Sequence, residues 1–383
     1  MSARDKASIV GVGMTPIVRR SDKSTLEMAV EASLAALDDA GLSPHDVDGF
    51  VTFQLGDSIP ALAVAAALGV PVVRWYSELQ MGGPGAALGI ADAALAIAGG
   101  AANTVLVFRS MSGRSGVRMG RYGADGGAGD YRQWILPYGF TGPPQVYALW
   151  ARRHMHEFGT TVEHLGAVAV AMREHAQLNP DAYFFGKPIT LADHQASRMV
   201  SSPFRLLDCC LENDAAGAVV ITRADRASAC AHPPVHIGGF AAGAGPAPAM
   251  PSLEWPDFTK MYSAYLADAA FAMAGLERSD VDLALLYDAF TLAVIVQLED
   301  LGFVDRGDGG PFVAEGNIAL NGRLPVNPNG GLLSEGYIHG MNNLIEGVRQ
   351  LRGEAGHRQI PGAEVAVVTA SEGPRGGVTL LHA

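Results

Sequence analysis

The sequence predicts an α/β protein built from two duplicated βαβ-rich halves with a segment inserted between them. Three observations predict it: strands alternate with helices, two distant segments repeat in register, and 383 residues exceed one ordinary core. Residues 40–49 read AGLSPHDVDG and residues 274–283 read AGLERSDVDL, sharing Ala, Gly, Leu, Asp, Val and Asp in order. Each copy follows an apolar helix and precedes a strand. The elements after each copy also correspond, as an internal duplication requires. Alternation of this kind implies mostly parallel sheets covered by helices.

The first half opens with a strand over 8–12. Ser24 and Glu27 then form the pattern of a capping box. The helix behind it runs through Leu26, Val30, Leu34 and Leu37 and stops at Gly41. A strand is predicted over 49–54. A glycine-rich turn at 82–85 opens an alanine-rich helix over 86–98, and 104–108 reads as a buried strand. The insert, 111–203, holds a Gly/Arg stretch at 112–129, aromatic residues from Trp134 to Tyr147, and a helix over 162–177. A strand over 213–222 completes the first half. In the second half the turn 336–340, helix 342–351 and strand 365–369 repeat the turn, helix and strand of the first. The expected division is therefore 1–110 plus 204–230, 111–203, and 231–383.

Composition narrows the function. About half the residues are apolar (49%) and 17% are charged, as in a soluble protein with a large interior. A net charge of −12 argues against non-specific binding to nucleic acid or anionic membranes, although a local basic patch can still hold a phosphate. Residues 1–6 are polar and read as no secretory signal. The apolar stretch 59–73 is broken by Pro60, Gly69 and Pro71 and is too short to span a bilayer. Cys209, Cys210 and Cys230 offer neither a disulfide framework nor CxxC metal spacing. A cytoplasmic protein without its own metal is expected.

Three motifs carry a resemblance. The segment from Asn329 to Gly340, NGGLLSEGYIHG, follows the pattern GGxxxxGHPxG. Tyr287-Asp288-Ala289-Phe290 stands where NEAF or HDCF is found, and SEGPRGG from Ser371 to Gly377 stands at a glycine-rich terminal cysteine motif. In this order they resemble the thiolase superfamily over nearly the whole chain. The resemblance implies a thiolase fold, layered α-β-α-β-α, with an inserted loop domain. It also makes the departures informative. A thiolase acylates a cysteine at a helix N-terminus, and here Met81 is the approximate counterpart. Tyr337 replaces the motif histidine, while Ser371 and Glu372 occupy the terminal cysteine region. Acyl-enzyme chemistry is thus excluded. Cys209 and Cys210 precede a buried strand and read as inert small hydrophobes.

The combination YDxF, then GYxHGMN, with no cysteine is similar to the thiolase-like aldolases that shorten steroid side chains, proteins long labelled lipid-transfer proteins. That resemblance implies retro-aldol cleavage of a β-hydroxyacyl-CoA, with the substrate carried as a CoA thioester and no cofactor in the chain. Tyr287 and Tyr337 are the expected acid/base pair. His339 orients a tyrosine, acts as a base, or makes only a structural hydrogen bond. Asp288 and Asn342 support the substrate site, and amides near Gly82 and Gly373 are candidates for a further oxyanion contact. Arg114, Arg118 and Arg121 either bind CoA phosphates or are simply solvated. The resemblance further implies a homodimer formed through first-half sheets and a separate OB-fold, zinc-ribbon partner that helps bind the acyl-CoA. Two other functions stay open: a non-catalytic acyl-CoA or lipid carrier, and a Claisen-type acyltransferase.

Overall fold

The computed structural model describes residues 3–116, 132–140, 142–246, 255–371 and 373–383. The first half begins with β1 (Ala7–Met14) and α1 (Thr25–Ala40). The capping box forms as expected: Glu27 N–H donates to Ser24 Oγ at 3.2 Å, and Ser24 N–H donates to the Glu27 carboxylate at 2.7 Å. Then come β2 (Gly49–Phe53), α2 (Ala61–Leu68), β3 (Trp75–Leu79), α3 (Gly85–Ala98) and β4 (Thr104–Ser112). The insert supplies α4 (Pro143–Phe158) and α5 (Val162–Ala176), after which β5 (Asp214–Arg223) re-enters the sheet. The second half contains β6 (Val235–Ala244), α6 (Ser263–Ala274), β7 (Leu283–Leu285), α7 (Thr291–Asp300), α8 (Met341–Leu351), β8 (Val365–Ser371) and β9 (Arg375–His382).

Nine strands form one sheet in the order β3-β2-β4-β5-β1-β6-β9-β8-β7. This order is a mirror about the β1–β6 junction. Strands β6, β9, β8 and β7 occupy the places that β1, β5, β4 and β2 hold in the first half, and a parallel bridge between Ala284 and Val326 stands in for β3. The expectation of mostly parallel pairing is corrected. Pairs β2–β3, β2–β4 and β7–β8 are parallel, but β1–β5, β4–β5, β6–β9 and β8–β9 are antiparallel. For β8–β9 the physical reason is chain length. Only three residues separate β8 from β9, which suffices for a hairpin but not for a crossover.

The repeated segments read alike because they do the same work twice. Gly41 and Gly275 end α1 and α6 with left-handed backbone, at φ 68° and 66°, a conformation that strains residues with a Cβ. Asp46 and Asp280 then accept the N–H of Ser43 and Glu277, each three residues back, at 2.8 and 2.7 Å. Asp48 accepts the amides of Asn103 and Thr104 at the head of β4; Asp282 accepts those of Glu364 and Val365 at the head of β8. Each second aspartate thus fixes where a helix-covered strand begins.

Helices α3 and α8 make the middle layer. Helix α3 packs on β2 and β4 of its own half and on β6, β8 and β9 of the other, and α8 packs on β7 and β8 and on β1 and β5. Helix α1 covers β1, β4 and β5 from outside, and α6 covers β6 and β9. Of the apolar residues along α1, Leu37 is buried with Met28, Ala29, Ala32, Ser33 and Ala36, while Leu34 is 46% exposed. The helix lies so close to β1 that a Cβ on Gly13 would stand 2.3 Å from the Ala32 carbonyl oxygen. Small residues, not the leucines, permit that approach.

Candidate active site

The two motif tyrosines come from separate loops, and each backbone is held by side chains. Tyr287 follows β7; its N–H donates to Thr369 Oγ1 at 2.8 Å, and its carbonyl accepts from Gln297 Nε2 at 2.9 Å. Tyr337 precedes α8; its N–H donates to Asn213 Oδ1 at 2.7 Å and its carbonyl accepts from Asn213 Nδ2 at 3.3 Å. These clamps bring the two phenol oxygens to 2.7 Å, with the rings 67° apart. Both residues are buried. Burial pushes both hydroxyls well above the usual phenol range, since a phenolate loses its hydration there. For Tyr337 the hydrogen bond from Tyr287 and the charge of Arg109 pull the other way.

His339 shares the turn with Tyr337, its ring centroid 4.9 Å away at 72°. Its backbone is left-handed, at φ 50°, and Gly340 continues at φ 87°. Arg109 Nε donates to His339 Nδ1 at 3.0 Å, and Arg109 Nη2 reaches Asp57 Oδ2 at 2.5 Å. Burial, reinforced by the Arg109 charge, lowers the imidazole to about 3, so it is neutral. An arginine has no acceptor, so Nδ1 carries no hydrogen and the proton sits on Nε2.

Tyr287, Tyr337 and His339 all face one cavity of about 620 Å³. Its apolar wall includes Tyr147, Phe290, Leu207, Leu211 and Leu333, and Arg19, Arg114, Arg173 and Arg198 also border it. Helices α4 and α5 of the insert contribute Tyr147, Ala169 and Arg173. Cys209 and Cys210 line it too. Burial raises the Cys209 thiol to about 12 and the Cys210 thiol well above its ordinary value. Both are therefore thiols rather than thiolates, and poor nucleophiles.

The remaining expected site residues divide. Gly82 lines the cavity, where a Cβ would stand 3.2 Å from His339 Nε2. Gly373 does not present its amide to the cavity; that N–H donates to Ser371 Oγ at 2.8 Å. Asp288 lies behind the tyrosines and accepts the amides of Leu332 and Leu333 at 2.8 and 3.2 Å. It caps the short helix Gly331–Ser334, and burial raises its carboxyl to about 6. Asn342 donates to Glu335 at 2.8 Å. Neither Asp288 nor Asn342 is among the lining residues. Arg114 lines the cavity with its guanidinium 3.4 Å from Glu212. Arg118, Arg121 and Glu372 lie outside the described residues. Among the described residues, no cluster of His, Cys, Asp and Glu is arranged to hold a metal, and no helix is long and apolar enough to cross a membrane.

Sequence reasoning missed Arg109 and Asp57, the arginines Arg19, Arg173 and Arg198, and the cavity position of Cys210. A signal for Arg109 existed: it continues an apolar strand whose predicted end was Phe108, so a charge there had to be paired inside the core.

The geometry can be set beside known proteins. Residues 7–202 match the family model described as thiolase, N-terminal domain, and residues 249–378 match thiolase C-terminal domain-like. The chain is 44% identical over 384 residues to 17-hydroxy-3-oxo-4-pregnene-20-carboxyl-CoA lyase of Mycobacterium tuberculosis, covering 98% of this chain and 99% of that one. It is 42% identical to the steroid side-chain-cleaving aldolase of Thermomonospora curvata, covering 98% and 97%. Among solved structures, Ltp2-ChsH2(DUF35) aldolase superposes with a TM-score of 0.95 at 41% identity, covering 100% of this chain and 99% of that one. Human mitochondrial 3-ketoacyl-CoA thiolase, at 17% identity and a TM-score of 0.71 over both whole chains, shares the fold. A thiolase frame whose two motif loops meet as a pair of phenols accounts for both sets of likenesses: the chain belongs to the thiolase superfamily, in its branch of cysteine-less, thiolase-like aldolases.

Proposed function

We propose that this chain cleaves a β-hydroxyacyl-CoA by a retro-aldol reaction, releasing a ketone or aldehyde and a shorter acyl-CoA. The observation that carries this reading is the 2.7 Å contact between Tyr287 and Tyr337 at the wall of an apolar cavity. Both phenols rest neutral, so the pair accepts a proton at one end only as it releases one at the other. The β-hydroxyl proton passes to one phenol, that phenol passes its own to its neighbour, and the neighbour delivers a proton to Cα. In the same event the β-C–O bond becomes a carbonyl, the Cα–Cβ bond breaks, its electron pair moves toward the thioester with enolate character, and Cα takes the proton the second phenol releases. Acyl transfer to the enzyme has no place in this sequence, in keeping with Cys209 and Cys210 being thiols rather than thiolates. The chain needs no cofactor of its own for these steps.

A bulky alicyclic acyl group suits a cavity of about 620 Å³ with an aromatic wall, and a steroid acyl-CoA bearing a tertiary β-hydroxyl is the substrate class we assign. We assign the CoA phosphates to the arginines bordering the cavity. We assign a separate OB-fold, zinc-ribbon partner on the likeness to Ltp2-ChsH2(DUF35) aldolase, and a homodimer through β3, which ends the nine-stranded sheet with Tyr76 half exposed. Three free cysteines suit a reducing cytoplasm.

The test is mass spectrometry of a tertiary β-hydroxyacyl-CoA panel, with and without the OB-fold partner and without added CoA. Equimolar carbonyl product and shortened acyl-CoA are expected. Cleavage that requires free CoA would instead favour acyl transfer, and tight binding with no cleavage would favour a carrier.

A further inference from the structure

Arg109 is a fully buried cation in the third strand from the sheet edge, and the proton relay gives it no task. Its guanidinium lies over the Phe53 ring and has three polar contacts: the Asp57 carboxylate, the Ser110 carbonyl at 3.1 Å and the His339 ring. Burying a charge this completely is costly unless it is paired. Asp57 neutralises it, yet a neutral core residue would need no such neutralisation. What the pair holds in place is the third contact.

We infer that Arg109, anchored by Asp57, is a positioning residue that fixes His339 as a neutral hydrogen-bond donor, through Nε2–H, to the thioester oxygen of the substrate. The inference rests on the aldolase reading above. Three observations carry it. Because Nε of Arg109 can only donate, the Nδ1 lone pair of His339 is occupied and the ring hydrogen is forced onto Nε2. Nε2 then lies beside Gly82 at the cavity wall, where a Cβ would crowd it at 3.2 Å. The left-handed backbone of His339 is an uncommon conformation for a residue with a Cβ and sets the ring in this place. As the Cα–Cβ bond breaks, the thioester oxygen gains negative charge, and a fixed donor stabilises it without reorganising. The same arrangement removes the role of base considered for His339. Its cavity-facing nitrogen carries a proton, so it cannot accept the one from the substrate alcohol.

The experiment is nitrogen NMR of the 15N-histidine-labelled protein between pH 5 and 9, with the His339 signals assigned by their loss in His339→Gln, together with kinetics of two variants. Wild type is expected to show His339 as the neutral Nε2–H form throughout. The double variant Asp57→Asn with Arg109→Leu removes both charges, leaving no unpaired ion. Its His339 should become a tautomer mixture that titrates nearer the ordinary range, with kcat at pH 7 down about 100-fold and KM little changed. Arg109→Lys keeps the charge beside Asp57 but loses the fixed fork; it should show the same tautomer mixing with a smaller loss. A wild-type His339 that is Nδ1–H or protonated at pH 6 overturns the inference whether or not the double variant folds. So does a folded variant, of either kind, with wild-type tautomer and turnover. If wild type cleaves nothing in the panel, the aldolase reading fails by itself, while the spectra still report the tautomer.

Discussion

Gly83 lies so close to Tyr287 that a Cβ at position 83 would stand 2.7 Å from the phenol oxygen and 1.9 Å from the carbonyl oxygen of Ser371. The turn leading into α3, where a thiolase would place its reactive cysteine, is therefore packed directly onto the phenol pair. Gly83→Ala must displace backbone at Ser371 or move the Tyr287 hydroxyl away from Tyr337. Displacements of about 1 Å in a catalytic group cost on the order of 100-fold in rate. We expect Gly83→Ala to lose about that much in kcat while unfolding within about 3 kcal/mol of wild type. Single-turnover kinetics beside chemical denaturation separates the two effects; wild-type turnover would show that this contact does not set the phenol geometry.

The phenols themselves should behave as one unit. Their oxygens are within hydrogen-bonding distance of each other, so deleting either breaks the relay at the same point. Tyr287→Phe and Tyr337→Phe are each expected to lower kcat by about 100- to 1000-fold. The double variant should be hardly slower than the worse single one, and affinity for the unreacted acyl-CoA should persist in all three. Multiplying losses, measured in the same double-mutant cycle, would assign the tyrosines to independent steps.

Helix α1 shows where sequence and structure part. The Ser24–Glu27 cap and the Gly41 stop are local, involving residues three apart or one backbone conformation, and both are legible in the chain. The duplicated Asp-Val-Asp segments are legible for the same reason. The buried face of α1 is not, because it is decided by Gly11 and Gly13 on β1, a strand whose partners are β5 and β6. The active site divides alike. Motif positions locate Tyr287, Tyr337 and His339. Arg109 and the cavity wall from the insert come together only through long-range packing, and Gly373 sits in the expected motif with its amide turned to Ser371. The helix itself gives a check: Leu34→Gln should change stability by less than about 0.5 kcal/mol. Ala32→Leu, forced against Gly13, should cost about 1–3 kcal/mol. Denaturant melts giving the reverse order would place Leu34, not Ala32, at the packed face.

Glu335, in the loop that ends at Tyr337, provides a pH test. Its carboxylate accepts from Asn179 at 2.9 Å, Asn342 at 2.8 Å and Asn329 at 2.5 Å, with no cation among the described residues in direct contact. Burial, aided by the nearby Glu346 charge, raises it to about 7. A carboxyl whose folded value lies above its unfolded one, near 4.5, stabilises the fold fully below pH 4.5. The stabilisation is lost as pH rises to 7, because the unfolded chain releases its proton first. The full loss is at most about 3 kcal/mol. Asp288 and Asp300, both raised to about 6, act with the same sign, while His175 and His339, lowered to about 4 and 3, act with the opposite one. A wild-type melting curve therefore mixes these effects, and the difference from Glu335→Gln isolates one. Glutamine stays neutral, so the melting temperature of the variant should rise relative to wild type from pH 4.5 to 7 and hold constant above that. A difference that does not change across this window would mean that the asparagine donors keep Glu335 ionised in the folded state.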